Sequence, residues 1–332
     1  MTTAAYIEEA LCAWPHRPES VTPLAGQGMN STTWLVVTAH GWYVAKLVDD
    51  VDAPGLVRGL RIADFLAARG LPCGPPVRTR DGQLTISLPE GALALLRHDP
   101  GTPPGPSVPN QVRRAGRALA RAHEALRDYP VESDPHYRWP WEWVDRLLDA
   151  VAMPAHVNAA ARRIWPEIVR TIADKQLSIS VIHGDPGLSG FLLADHTGDS
   201  SHTEDSSHTE DSSHTGGTSH ADENTQDGII DWVTTMRGPL LYDLACFAVM
   251  TERSGPQVTR WFTEGYAAQM PEVRSELPYL DCLVKARWLA NAIYFADRIE
   301  RDIERGSASP TTNQDGLAEA YAGMTASRSG QQ

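Results

Sequence analysis

The chain has 332 residues, 42% of them hydrophobic, enough for one large or two smaller domains with a sizeable core. No apolar run reaches the roughly 18 residues needed to span a bilayer. The longest, Leu240 to Met250, is interrupted by Asp243, so no membrane partner is expected. The formal net charge of −13 is mostly local: residues 195–227 hold nine acids and neither Lys nor Arg, and without them the charge is −4. No basic face offers a nucleic-acid footprint.

The first residues, MTTAAYIEEALCAW, carry Glu8 and Glu9 and no basic region, so they do not read as a signal peptide. Cys12, Cys73, Cys246 and Cys282 are scattered without a CxxC pair. Neither a disulfide framework nor a zinc site is expected, and a reducing cytoplasm fits. The oligomeric state stays open.

In chain order, Thr33 to Thr38 and Trp42 to Val48 are β-rich runs around Ala39-His40-Gly41, a hairpin pattern. Leu56, Leu60, Ala63 and Ala67 recur at helical spacing, with Gly70 as the stop. Leu84 to Leu88 and Ala92 to Leu96 read as two more strands. The Pro- and Gly-dense HDPGTPPGPSVPN then reads as a joint between a small β-rich lobe, residues 1–98, and a larger lobe, 99–306.

After Asn110 the periodicity predicts helices at 111–127, 141–151, 155–174, 240–252, 256–269 and 280–304. In the first, Arg113, Arg114, Arg117 and Arg121 lie opposite an apolar stripe and read as a solvated face. His123 there reads as packed. A β-island interrupts the helices. Leu177, Ile179 and Val181 alternate with polar positions and lead into His183-Gly184-Asp185; Phe191 to Ala194 and Gly228 to Trp232 form two further strands.

Between those strands, residues 195–227 repeat with a period of six, placing His196, His202, His208, His214 and His220 evenly. With almost no apolar residues the segment reads as a disordered insert at a hairpin tip, in preference to a metal site. The tail 307–332 is small and polar and is expected to be mobile.

Two carboxylates carry chemistry. Asp185 follows a strand and begins a turn, and Asp231 ends the strand of GIIDW. With the insert excised, the hairpin brings them close. That pairing suits a divalent cation bridging phosphate oxygens beside a group that takes or orients a hydroxyl proton. Lys46 sits in YVAKL among apolar residues, and a buried lysine needs a partner such as a phosphate. Gly26, Gly28, Asn30 and Ser31 form a turn before that strand pair, where backbone N–H groups can approach phosphates.

The order of these parts resembles the protein-kinase-like fold, specifically the aminoglycoside phosphotransferase and choline kinase group. HGD, GIIDW, GPLLYDLA, GLRIADFLAARGLPCGPPVRTRDGQL and ALLRHDPG carry the resemblance, from about Gly26 to Arg298. The chain is most similar to actinobacterial HGDP-type small-molecule phosphotransferases. The resemblance implies an α+β, two-lobed architecture, with a small β-rich N-terminal lobe and a larger, mainly helical C-terminal lobe. It implies Asp185 as catalytic base, Asp231 as principal Mg2+ ligand and Lys46 on the α/β-phosphates of ATP or GTP. Gly26 to Ser31 would cover the phosphates, and backbone near Leu95 to Arg97 would hold the purine. His183 and Asp243 would fix the loop.

The substrate implied is a small hydroxylated molecule. An antibiotic-inactivating kinase comes first, and a metabolic kinase for choline, homoserine or a sugar is the alternative.

Two positions depart from the family pattern. Gly190 stands where a metal-binding Asn is usual, with Ser189 beside it as the nearest oxygen donor. Val57 stands where a Glu usually pairs with the lysine, and Asp64 lies two turns on as a candidate. A working kinase with Ser189 or water completing the metal shell, a catalytically weak binding protein, and a metal-dependent hydrolase using His183, Asp185 and Asp231 all remain open. The run YRWPWEWVDR reads as a stacking wall or as core. Trp232 reads as core filling, and Glu142, Asp145 and Asp281 as surface acids or contacts to a cationic substrate.

Overall fold

The computed structural model describes residues 4–24, 29–130, 144–194, 226–304 and 311–326. Six strands make one antiparallel sheet in the first hundred residues: β1 (Pro18–Pro23), β2 (Ser31–Thr38), β3 (Gly41–Val48), β4 (Pro76–Val77), β5 (Thr85–Leu88) and β6 (Gly91–Arg97). The order is β1-β2-β3-β6-β4, with β5 also on β6. β1 and β4 are not legible as strands because each is short or bounded by proline, which a sheet edge tolerates.

The period-two pattern sorts the two faces of the sheet. Tyr43, Ala45 and Leu47 point outward, into a core with Trp34, Leu93 and Leu95. That core is covered by α1 (Ala4–Ala10), through Ile7, and by Trp14, whose Nε1 donates to Val77 O at 2.7 Å. The opposite face carries Val48, Ala92 and Ala94 against Leu56 and Leu60 of α2 (Ala53–Ala67).

α2 also joins the larger lobe. Its Ile62, Ala63 and Leu66 belong to the large-lobe core. A Cβ at Gly59 would lie 2.6 Å from the Trp232 backbone, so glycine lets α2 touch the turn that follows Asp231. The joint is stitched as well: Asp99 Oδ2 accepts the Cys73 and Gly74 N–H groups at 2.7 and 2.8 Å, and Thr102 exchanges two backbone bonds with Leu193.

The larger lobe contains, among the described residues, α3 (Pro109–Leu126), α4 (Val144–Ala150), α5 (Ala155–Ala173), α6 (Leu240–Met250), α7 (Pro256–Gln269), α8 (Leu280–Glu300) and α9 (Thr312–Thr325). Two small ladders sit at the lobe boundary. β7 (Ile179–Ile182) pairs with β10 (Met236–Pro239), and β8 (Phe191–Leu192) pairs with β9 (Gly228–Ile229). α6 is buried over nearly its whole length, and the Phe247 ring stacks on Phe262 of α7 at 3.6 Å. No helix among the described residues is long and apolar enough to cross a membrane.

Three differences from the sequence reading lie away from the Lys46–Asp231 contact. Arg114 and Arg121 of α3 do not form a solvated face. Arg114 Nε and Nη2 grip Asp227 at 3.0 and 2.5 Å, and Arg121 Nη2 donates to Asp227 O at 3.1 Å. Asp227 is therefore buried and closes the base of the β8–β9 hairpin; the repeat at 195–225 and its histidines lie outside the described residues. Finally, the tail expected to be mobile contains α9, which buries Leu317, Ala320 and Met324 against α8.

Candidate active site

Lys46 lies on the cleft face of β3, opposite the outward side chains Ala45 and Leu47. Its Nζ sits 2.6 Å from Asp231 Oδ1. The lysine is buried, whereas the Asp231 side chain is 51% exposed to the cleft. Crowding by the surrounding protein pushes the Asp231 carboxyl up, but the Lys46 charge and hydrogen bond outweigh this and hold it below the usual carboxylate range. The sequence placed Asp231 at a strand end. Instead β9 stops at Ile229, and Asp231 takes a left-handed conformation (φ 70°, ψ 59°) at the start of a 3-10 turn. For a non-glycine residue that conformation costs about 1–2 kcal/mol. It aims the carboxylate away from the ladder, toward Lys46.

The loop after β7 is built around Asp243. This α6 carboxylate is fully buried; it accepts the His183 and Gly184 N–H groups at 2.7 and 2.8 Å and meets His123 Nε2 at 2.9 Å. His123 continues to Tyr266 at 2.8 Å and is packed, as the sequence reads it. His183 Nε2 donates to Ile230 O at 3.0 Å, while its Nδ1 accepts the Asp185 N–H at 3.3 Å. Both bonds are satisfied by a neutral ring protonated on Nε2. His183 thus ties the Asp185 loop to the residue before Asp231. Gly184 has φ 84°, and a Cβ there would lie 2.4 Å from Thr234 O, so the motif's glycine is required by both conformation and space. Asp185 itself pairs with Arg287 of α8, which also donates to Gly184 O at 3.2 Å.

The turn before β2 meets the other end of α8. Asn30 Oδ1 accepts from the Tyr294 hydroxyl at 2.8 Å and from Arg298 Nη1 at 3.0 Å; Arg298 Nη1 also donates to Met29 O at 3.2 Å. Ser31 begins β2, buried opposite Val48. Gly26 and Gly28 lie outside the described residues. At the other edge of the small lobe, the Leu95 side chain is in the outer core and the Arg97 N–H is donated to Pro75 O at 2.8 Å. A purine bond to the Arg97 N–H would have to displace that contact.

A family model for the phosphotransferase enzyme family, APH, matches residues 20–199, more than half of the chain. The chain belongs to this family. Among curated relatives, the homoserine kinase of Hyphomonas neptunium is 29% identical over 42% of this chain and 44% of its own length. That of Neisseria meningitidis serogroup B is 24% identical over 66% of this chain and 62% of its own. The chain thus spans about two fifths to three fifths of these relatives.

Solved structures share the fold over nearly the whole chain. An amicoumacin kinase, hAmiN, in complex with AMP-PNP, Ca2+ and Ami has a TM-score of 0.67 at 15% identity, covering 96% of this chain and 92% of that one. A microcompartment-associated aminopropanol kinase has a TM-score of 0.66 at 16% identity, covering 97% and 95%. Choline kinase LicA from Streptococcus pneumoniae has a TM-score of 0.63 at 12% identity, covering 96% and 98%.

Within this phosphotransferase frame, the two departures acquire geometry. Asp64 does not replace the missing glutamate: it turns to the surface and pairs with Arg78 at 2.7 Å, while Lys46 goes directly to Asp231. Gly190 ends a 3-10 turn beside the Asp231 segment, its O accepting the Ile230 N–H at 2.8 Å; Ser189 in the same turn is exposed. Among the described residues no group of three His, Cys, Asp or Glu could enclose a metal. Magnesium does not need one, since it usually binds one or two carboxylates together with substrate phosphates and waters. Asp231, half open to the cleft, fits that role.

Sequence reasoning missed Arg287, Tyr294 and Arg298. Their spacings of seven and four place them on one face of α8, and that periodicity was the available signal. Glu142 and most of YRWPWEWVDR lie outside the described residues, whereas Asp145 and Asp281 are exposed.

Proposed function

We propose that the protein is an O-phosphotransferase that moves the γ-phosphate of ATP or GTP to a hydroxyl of a small molecule. The observation that carries this reading is the contact between Lys46 and Asp231, 185 positions apart in sequence, with His183 joining the Asp231 segment to the Asp185 loop. Lys46 holds the α/β-phosphates and the turn at Asn30 and Ser31, with Gly26 and Gly28, covers them. Magnesium, when bound at Asp231, neutralises charge on the phosphate oxygens. Asp185 orients the acceptor hydroxyl and takes its proton. The acceptor oxygen bonds to the γ-phosphorus, and the bond from that phosphorus to the bridging oxygen breaks, its electrons leaving with the nucleoside diphosphate. Little covalent work falls to the protein in such a transfer, so positioning and charge are the parts it must supply.

The acceptor class we favour is an amino alcohol. Homoserine and aminopropanol, named for the relatives and fold neighbours above, both pair a hydroxyl with an amine. The sequence matches favour a metabolite of this kind. The antibiotic reading draws its support from the fold likeness to the amicoumacin kinase and to a spectinomycin phosphotransferase in complex with ADP and spectinomycin, with a TM-score of 0.57 at 16% identity. The cytoplasm, where nucleoside triphosphates and free thiols coexist, is the compartment assigned; all four cysteines are unpaired.

The test is transfer of label from γ-labelled ATP or GTP, with magnesium, to homoserine, aminopropanol, choline, spectinomycin and amicoumacin, read by mass shift. We expect a phosphorylated product and a loss of about 100-fold or more in Asp185→Asn, the usual weight of a positioned acid or base. The absence of both transfer and nucleotide hydrolysis under these conditions, or full activity in Asp185→Asn, overturns the reading.

A further inference from the structure

Arg287 has no role in the transfer as set out above, yet it touches the loop at its most consequential point. It reaches from α8 to donate to Asp185 Oδ1 and to Gly184 O, so one planar fork grips both a side chain and the backbone beside it. The guanidinium is largely buried, and its Nε is enclosed without a hydrogen-bond partner. Its surroundings contain several groups that ionise. Tyr242 and Cys246 of α6 lie beside it, and burial pushes both well up, so both are neutral. Cys246 Sγ donates to Gly184 O at 3.3 Å. Asp243 has its two oxygens committed to the His183 and Gly184 N–H groups. Lys46 is engaged with Asp231. Asp185 is therefore the carboxylate that answers the Arg287 charge.

A carboxylate that must align a hydroxyl for in-line attack is effective only if it cannot rotate. In this loop the usual asparagine five residues on is replaced by Gly190, so the loop has one fewer side chain to anchor it. A guanidinium that occupies Oδ1 fixes the carboxylate plane and leaves Oδ2 to the hydroxyl. The fork's second arm on Gly184 O prevents the loop from moving with the side chain. We propose that Arg287 is the positioning residue of Asp185, supplying from α8 an anchorage that the loop's own sequence lacks. The proposal rests on the phosphotransferase reading of Asp185.

The test is a double-mutant cycle on the full chain, following turnover of γ-labelled ATP with magnesium and water as acceptor. In Arg287→Ala we expect kcat to fall about 100-fold, the cost of misplacing a reacting group by about an ångström. The KM for ATP should stay within about twofold, because the phosphate contacts lie elsewhere. Arg287→Lys should recover part of kcat. Added guanidinium should restore Arg287→Ala but not Arg287→Ala/Asp185→Asn. In the Asp185→Asn background, removing Arg287 should cost nothing further. If Arg287→Ala does not fold, Arg287→Lys carries the same cycle with a smaller loss, since a single ammonium nitrogen does not reproduce the planar fork that spans Asp185 and Gly184 O. Native kcat in a folded Arg287 variant, or an equal loss with and without Asp185, overturns the proposal. Native activity in Asp185→Asn alone would instead overturn the reading beneath it.

Discussion

Arg298 and Asn30 are 268 positions apart, yet Arg298 Nη1 lies 3.0 Å from Asn30 Oδ1. The far end of α8 thereby holds the turn that we assign to covering the phosphates, while Arg287 on the same helix face pairs with Asp185, which we assign to the acceptor hydroxyl. On these assignments α8 sets the distance between the phosphate turn and the Asp185 loop. From 287 to 298 it spans about 16 Å at the helical rise.

That relationship predicts a nucleotide phenotype for residues outside the cleft. Tyr294→Phe removes one hydrogen bond to Asn30, worth about 1 kcal/mol. The KM for ATP should rise about fivefold with the melting temperature little changed. Arg298→Met removes bonds to Met29, Asn30, Asn313 and Ile303 at once. It should lower stability by about 3 kcal/mol as well as raise the KM, because buried acceptors are left unmet. Steady-state kinetics and thermal melts separate the two effects. An unchanged KM in both variants would show that the turn is held without α8.

A second prediction concerns acid. Burial pushes the Asp227 carboxyl up, but the bidentate Arg114 and the Ala194 N–H outweigh it and hold it below its ordinary value of 3.8. Asp231 is depressed likewise by Lys46. A carboxyl with a lowered native value contributes stability that is fully present above the unfolded value, about 4, and is lost as pH falls through the native one. Unfolding followed by circular dichroism should therefore steepen below about pH 4. Asp227→Asn should be destabilised at neutral pH by about 3 kcal/mol, leaving Arg114 without its anion, and should lose less on acidification. Asp231 contributes little to this signal, since its exposed carboxylate is screened by solvent.

Gly59 gives a third, because its role is spatial. A Cβ there would meet the Trp232 carbonyl carbon and oxygen at 2.6 Å, and backbone cannot swing aside as a side-chain tip does. Gly59→Ala gains helix propensity, yet it should lower stability by about 1–3 kcal/mol through overpacking. Because the displaced turn carries Asp231, magnesium-dependent nucleotide binding should weaken too. A melting temperature at or above the native one would mean that α2 has room to shift.

The parts of this site that lie on regular elements or motifs were legible in the sequence. Lys46 was marked by alternation on β3, Asp185 by its motif and the turn residues that follow it, and Asp231 by its motif at the end of GIIDW. The packing of His123 and Trp232 followed from their apolar surroundings. What was not legible depends on long-range geometry. The left-handed turn at Asp231 overrides the strand pattern of GIIDW, and the pairing of Arg114 with Asp227 reverses the reading of an arginine-rich helix face. The same holds for α8, whose arginines gain meaning only when the fold sets one against Asp185 and the other against Asn30. Asp64 failed as a substitute glutamate for a related reason: helical spacing gave its turn but not its side, which faces Arg78.

Gly190 carries the last prediction. It has no positive φ, and a Cβ added there would meet only Ile230 O, at 3.5 Å, an ordinary contact. Conformation and space therefore both admit the asparagine that the family pattern places at this position. Gly190→Asn should fold with a melting temperature close to the native value. Its amide oxygen would stand beside the segment carrying Asp231 and add a neutral oxygen near the carboxylate that we assign to magnesium. The magnesium concentration giving half-maximal turnover should fall several-fold, on the scale of one added oxygen contact of about 1 kcal/mol. Titrating magnesium at saturating nucleotide reads this directly. An unchanged magnesium requirement in a folded Gly190→Asn would show that the metal sits out of reach of this turn, and that Asp231 with the phosphates already completes its shell.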